Sequence, residues 1–202
     1  VLNKEDFNLH RLLHGIEELF RLRVQEKNLC LDFELGNDVP QYIHTDQSKL
    51  RQILINLLCN AVKFTKTGGI TLRVKNMGPA KETNTNACLL HFEVADTGIG
   101  MTCEEQEQIF DAFFQSDRQQ SYQEGTGLGL SIAYGIVRRI DGSISIRSGS
   151  LRRMFSARSS VSTMMSIRWL RSELGLAFGQ SSTSASGCLA RKALIVYMIV
   201  GA

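Results

Sequence analysis

The stretch from Asp46 to Phe64, DQSKLRQILINLLCNAVKF, constrains the fold more than any other part of the chain. Leu50, Ile53, Leu54, Leu57, Leu58, Ala61 and Val62 recur at the spacing of a helix with one face in a core. Thr45 or Asp46 can cap its start, and Gly68-Gly69 stops it. Along another stripe of the same helix run Gln52, Asn56, Asn60 and Lys63. Such a helix must pack its apolar face on something large while presenting carboxamides and an ammonium to something polar. Taken alone, the polar line also describes an ordinary solvated helix face.

The flanking pattern supplies that large partner. Phe7 to Lys27 carries Phe7, Leu9, Leu12, Leu13, Ile16, Leu19, Phe20 and Leu22 at helical spacing. Leu29 to Leu35 alternates and ends at Gly36-Asn37-Asp38, which predicts a strand. Val39-Pro40 leads to a short apolar stretch at Tyr42 and Ile43. Ile70 to Lys75 and Leu89 to Ala95 alternate as strands, separated by the polar loop 76–86. Glu104 to Phe114 is predicted as a short helix, Gln115 to Gly125 as a mobile, breaker-rich loop, Leu128 to Ile140 as a long helix and Ser143 to Arg147 as a strand.

A chain of 202 residues, 43% of them hydrophobic, fits one ordinary domain or one domain with an appendage. A formal net charge of +3 gives no reason to expect a polyanionic partner, so no nucleic acid is expected. Cys30, Cys59, Cys88, Cys103 and Cys188 show no metal-ligand spacing and read as free or buried thiols of a reducing, cytoplasmic compartment. No signal peptide and no apolar run long enough to span a bilayer is present, so direct membrane insertion is not expected. The longest such run, Ala193 to Val200, has the length of a buried strand. A chain that starts at Val1 without Met is expected to be part of something longer. The charge balance changes at Gly149: 19 acidic against 16 basic residues before it, one against seven after it, where serine also becomes frequent. This divides the chain into a domain over 1–149 and an atypical basic, Ser-rich tail over 150–202.

Three constellations carry chemistry. The first is Asn56, Asn60 and Lys63. Carboxamide oxygens are hard neutral ligands suited to Mg²⁺, and a lysine meets phosphate as a point charge. The second is Asp96-Thr97-Gly98-Ile99-Gly100 at a strand end. There a carboxylate can accept a hydrogen bond from an exocyclic amine, and the glycines let backbone approach a ligand. The third is Gly125-Thr126-Gly127-Leu128-Gly129, opening a helix whose bare N–H groups and dipole suit phosphate. It is neither the dinucleotide fingerprint nor a P-loop, since its spacing is GxGxG, no strand precedes it and no Gly-Lys-Ser/Thr follows.

In this order and at these separations the three resemble the N, G1 and G2 boxes of the Bergerat-fold ATPases, a superfamily that includes sensor histidine kinases, gyrase and mismatch-repair ATPases. NLLCNAVKFT, DTGIG and EGTGLGLSI look like the histidine-kinase branch, and IFDAFFQSD resembles its F box, with Phe110, Phe113 and Phe114. The resemblance covers about Asn8 to Ile146 and is nearest to the catalytic domains of bacterial hybrid kinases. It implies an α/β fold, a two-layer Bergerat sandwich in which a mixed β-sheet is covered on one face by three helices. It implies ATP and Mg²⁺ as ligands, with Asn60 binding the metal, Asn56 assisting and Lys63 contacting phosphate. Phe64 would pack beside the nucleotide. Asp96 would bond the adenine amino group, with Gly98 and Gly100 lining that wall. Phe110 is carried with the nucleotide-binding set. Gly125, Thr126, Gly127, Leu128 and Gly129 would form the phosphate cradle and lid hinge, with Arg118 reaching in from the lid.

One position separates phosphoryl transfer from hydrolysis. The hydrolysing branches carry a Glu as general base where this chain has Asn56, and a carboxamide cannot take a proton at neutral pH. The resemblance therefore implies an ATP-dependent protein-histidine kinase domain that gives its γ-phosphoryl to a histidine on a separate dimerisation domain, with a response regulator or receiver domain downstream. The family's acceptor motif is absent. His10, His14, His44 and His91 do not fit it, so self-phosphorylation by this chain alone is not expected. The alternatives are a degenerate module that only binds partners, or a Bergerat-type ATPase. The family's closing turn and strand do not follow Gly149. The abruptness suggests an altered reading frame, which would leave the sheet with a bare edge unless the tail is more than disordered and supplies a substitute strand, with Ala193 to Val200 the best candidate.

Overall fold

The computed structural model describes residues 2–80, 87–115, 126–140, 142–148 and 192–201. The first strand, β1 (Glu5–Asn8), runs directly into α1 (Leu9–Glu26). Then follow β2 (Cys30–Leu35), β3 (Tyr42–Thr45), α2 (Gln47–Phe64), β4 (Gly69–Pro79) and β5 (Ala87–Asp96). The chain goes on through α3 (Cys103–Gln108), α4 (Gly129–Arg139), β6 (Ser143–Ser148) and β7 (Lys192–Gly201). The strands form one mixed sheet in the order β1-β3-β7-β5-β4-β2, with β6 also paired to β7. Among the described strands, only β2 and β4 pair in parallel. The sheet's inner face, including Ile70, Leu72 and Val74 of β4 and Leu90, Phe92 and Val94 of β5, shares one core with α1, α2 and α4. This is the α/β sandwich with three helices on one face that the resemblance implied.

Local chemistry explains most boundaries. Asp46, not Thr45, caps α2: its carboxylate accepts from the backbone N–H of Lys49 at 3.0 Å and from the Ser48 hydroxyl at 2.7 Å, and also from the Asn3 N–H at 2.9 Å. Burial by itself would raise the Asp46 carboxyl, but these bonds together outweigh it and hold the group below the usual carboxylate value. α1 begins two residues later than its apolar spacing predicts. Asn8 caps it by accepting the Arg11 N–H, so Phe7 belongs to β1, opposite Ile43 of β3. Leu19 and Leu22, counted on the apolar face from spacing, lie 46% and 71% exposed, because the buried face is completed by Phe20 and Val24 instead. α3 is shorter than predicted. A capping box between Thr102 and Glu105 starts it, but its six residues bury no side chain, and Ile109 to Phe114 leave the helix.

Of the two expected outcomes, a bare edge or a substitute strand from the tail, the structure has the second. The run singled out as a substitute strand is the core of β7, which pairs antiparallel with β5 from Ala87↔Gly201 to Asp96↔Lys192 and with β6 from Ser143↔Tyr197 to Ser148↔Lys192. Leu194, Val196, Met198 and Val200 enter the common core. The expected mobile loop beyond Gln115 and the expected disorder of 150–191 lie outside the described residues.

Candidate functional site

α2 holds the first constellation. Asn56, Asn60 and Lys63 are all partly exposed on it, beside a face that is otherwise core. The Asn56 Nδ2 is buried and, among the described residues, has no hydrogen-bond partner. An orphaned buried amide is costly unless something arrives to pair it. The Lys63 Nζ lies 5.0 Å from the centre of the Phe64 ring, which is itself buried.

The strand-end motif closes on the end of this helix. Asp96 is 3% exposed at the last position of β5, and its Oδ1 accepts the Gly98 N–H at 2.9 Å. A Cβ on Gly98 would stand 2.5 Å from the Phe64 carbonyl oxygen, so backbone passes against backbone with no room for a side chain. The Ile99 N–H donates to that same carbonyl at 3.4 Å. Gly100 has φ 67°, the left-handed region that glycine adopts at least cost.

The glycine-rich motif closes on the helix from the other side. Gly129 is the first residue of α4, and a Cβ there would lie 3.9 Å from both Asn56 Oδ1 and Asn60 Nδ2. α4 has no side-chain cap, so the N–H groups of its first turn are not occupied by a capping side chain. Gly127, at φ 69°, passes within 3 Å of the Phe113 backbone when a Cβ is placed on it, and the Phe113 N–H donates to the Gly127 carbonyl at 3.1 Å. Thr126 is exposed and Leu128 partly exposed between them. Gly125 and Arg118 lie outside the described residues. Both glycine motifs thus converge on one face of α2.

A family model described as histidine kinase-, DNA gyrase B-, and HSP90-like ATPase matches residues 45–171, well over half of the chain. The chain belongs to this family. Among curated relatives, this ATPase domain is 36% identical over 147 residues to the sensory/regulatory protein RpfC of Xanthomonas campestris pv. campestris, covering 72% of the chain and 20% of RpfC. It is 37% identical over 150 residues to the autoinducer 2 sensor kinase/phosphatase LuxQ of Vibrio vulnificus, covering 73% of the chain and 17% of LuxQ. The chain therefore spans a fifth or less of these relatives. Full-length ShkA in complex with AMPPNP superposes with a TM-score of 0.66 at 24% identity, over 100% of the chain and 32% of ShkA. The nucleotide-free catalytic domain of the histidine kinase ThkA superposes with a TM-score of 0.62 at 22% identity, over 98% of the chain and 97% of that domain. Fold and family are those of the ATP-binding catalytic domain of sensor histidine kinases.

Other positions of the ATPase domain sort differently. The Phe110 ring stacks on Tyr134 of α4, 5.2 Å between centroids, and so packs α4 against the turn after α3. Phe113, also in a left-handed conformation, is 71% exposed. His10 and His14 face an open hollow along α1, and His14 lies 3.7 Å from Glu18. Among the described residues no group of three His, Cys, Asp or Glu could hold a metal ion. Cys30, Cys59, Cys88 and Cys103 are free, and burial pushes the Cys88 thiol up. No described helix is long and apolar enough to cross a membrane. Sequence reasoning passed over Thr97. It sits inside the quoted DTGIG, but a threonine between an acid and a glycine carries no signal of its own until its neighbours in space are known.

Proposed function

We propose that this chain is the phosphoryl-donating part of a two-component sensor kinase. It holds Mg-ATP between α2, the strand-end turn and the glycine-rich start of α4, and it presents the γ-phosphoryl to a histidine on a separate dimerisation domain. A response regulator or receiver domain is the further partner, in keeping with the relatives' regulatory and sensor-kinase names. The observation that carries this reading is the convergence on α2: Gly98 against the Phe64 carbonyl, and Gly129 against the Asn56 and Asn60 carboxamides.

The donor set fits a magnesium nucleotide. The Asn60 and Asn56 carboxamide oxygens would hold the ion, the orphaned Asn56 NH2 would donate to a phosphate oxygen or a water of the ion's shell, and Asp96, buried and aimed by its bond to Gly98, would accept from the adenine amino group. When bound, Mg²⁺ neutralises charge on the phosphates. Lys63 adds a second positive charge at the end of α2, and the uncapped first turn of α4 offers N–H groups to phosphate oxygens. Asn56 cannot act as a base toward water, so the arrangement positions the nucleotide for transfer and leaves hydrolysis slow.

Titration of the full chain with a fluorescent ATP analogue, with and without Mg²⁺, tests this. Saturable binding that Mg²⁺ tightens is expected, with Asp96→Asn weakening it about tenfold or more, a loss near 1.4 kcal/mol. Asn60→Ala should remove the Mg²⁺ effect. Absence of binding by the unaltered chain points to the partner-docking module instead, and rapid phosphate release, lost in Asp96→Asn, points to an ATPase. Phosphotransfer to a family dimerisation domain added in trans is the final step.

A further inference from the structure

We infer that Thr97 is a positioning residue for the nucleotide: its hydroxyl fastens the adenine-side turn after β5 to the turn that ends α2, and so fixes the distance between base and metal subsites. The inference rests on the ATP reading above and goes beyond it, since Thr97 is assigned no contact with ATP.

The hydroxyl donates to the Thr67 carbonyl at 2.7 Å and accepts the Gly69 N–H at 3.0 Å, while the Thr97 N–H donates to the Gly69 carbonyl at 3.1 Å. One side chain thereby satisfies both a donor and an acceptor in the tight Thr67–Gly69 turn. The turn is shaped around it. Gly68 has φ 95°, and a Cβ placed there would collide with the Thr97 Oγ1. The Cys30 N–H donates to the Gly68 carbonyl, so the turn is anchored to β2 and cannot simply swing to follow a loosened Thr97.

What the clasp joins gives it a role. Thr97 immediately follows Asp96, and Thr67 lies four residues after Lys63 at the end of the helix that bears Asn56 and Asn60. Two further bonds between these turns, from Ile99 to the Phe64 carbonyl and from Thr97 to the Gly69 carbonyl, are backbone bonds that any residue at those positions could make. The hydroxyl bridge requires Thr or Ser. Without it the Asp96 end of β5 and the end of α2 can drift by a fraction of an ångström. A ligand that spans both subsites feels such drift, and one that occupies a single subsite does not.

Two probes separate these cases: Mg-ATP, which spans base and metal, and adenosine, which occupies the base subsite only. Both are titrated against the full chain and its Thr97→Val and Thr97→Ser variants. Thr97→Val is expected to bind Mg-ATP about tenfold more weakly, to lose most of the Mg²⁺ enhancement and to bind adenosine within about threefold of the unaltered chain. Thr97→Ser should restore both. Gly68→Ala, which pushes the hydroxyl away from the opposite side, should reproduce the Thr97→Val pattern and keeps the test decisive if Thr97→Val does not fold. Equal losses for the two ligands, an unchanged Mg-ATP affinity, or a Ser variant as impaired as the Val variant each overturn the inference. An unaltered chain that binds neither ligand overturns the ATP reading and this inference with it, whereas normal binding by the unaltered chain and an unaffected Thr97→Val overturns this inference alone.

Discussion

β5 has two antiparallel neighbours, and they are built by different rules. β4 is close in sequence and alternates: Ile70, Leu72 and Val74 enter the core, while Thr71, Arg73 and Lys75 point away from it. On that outer side Arg73 bonds Glu34 of β2 at 2.6 Å and lies 3.7 Å from Glu93 of β5. β7 comes from the far end of the sequence, is apolar on both sides and buries Ala193, Leu194, Ile195, Val196, Met198 and Val200. A one-residue slip of β4 would turn its core residues to the outside, so its own side chains fix its register. A slip of β7 would exchange one apolar set for another. Its register is fixed instead by ladders on two sides, from β5 and β6. Both strands lie between two others, β4 between β5 and β2 and β7 between β5 and β6, so position in the sheet does not separate them. Alternation specifies β4, whereas burial and backbone pairing specify β7.

The comparison can be broken most directly at β7. Removing residues 192–202 takes away the strand beside Asp96 and opens both β5 and β6. Loss of cooperative thermal unfolding together with loss of ATP-analogue binding is expected, and a truncated chain that keeps both would show that β7 is an accessory. A finer test weighs the two neighbours against each other. Leu72 and Met198 are both almost wholly buried, so Leu72→Ala and Met198→Ala should each cost about 2–5 kcal/mol in urea unfolding. A near-neutral Met198→Ala would place β7 outside the cooperative core. The smallest effect concerns the ion pair on the outer side of β4. Arg73→Gln should cost only about 0–1 kcal/mol, because the Glu34 end of the bridge is largely solvated. A larger loss, measured the same way, would mean that charge rather than alternation sets the β4 register.

Much of this was legible in the sequence, for identifiable reasons. α2 declared itself through its apolar period, and β4 and β5 through alternation, because each has one face in a core and one outside. The site's polar groups were legible because Asn56, Asn60 and Asp96 interrupt those patterns. Phe7 misled because a strand leading straight into a helix leaves its apolar residue near helical spacing, and only the Asn8 cap marks the boundary. Leu19 and Leu22 misled because spacing cannot say how wide the covered stripe is. β7 was legible as a strand but not as a central one, since a short apolar run carries no record of its neighbours. Phe110 was grouped with the nucleotide set, yet its stacking on Tyr134 depends on how the turn after α3 meets α4, which no local pattern encodes.

The placement of β7 also bears on how the molecule is made. Its pairing with β5 joins residues separated by roughly a hundred positions, the kind of long-range contact that slows folding most. A nascent chain that has already left the ribosome with every nucleotide motif in hand still lacks the strand that lies beside Asp96. Until Lys192 to Gly201 emerge, the β7-facing sides of β5 and β6 present unpaired backbone edges to solvent and to other copies. Closure of the sheet beside Asp96 therefore waits on a strand made roughly a hundred residues later.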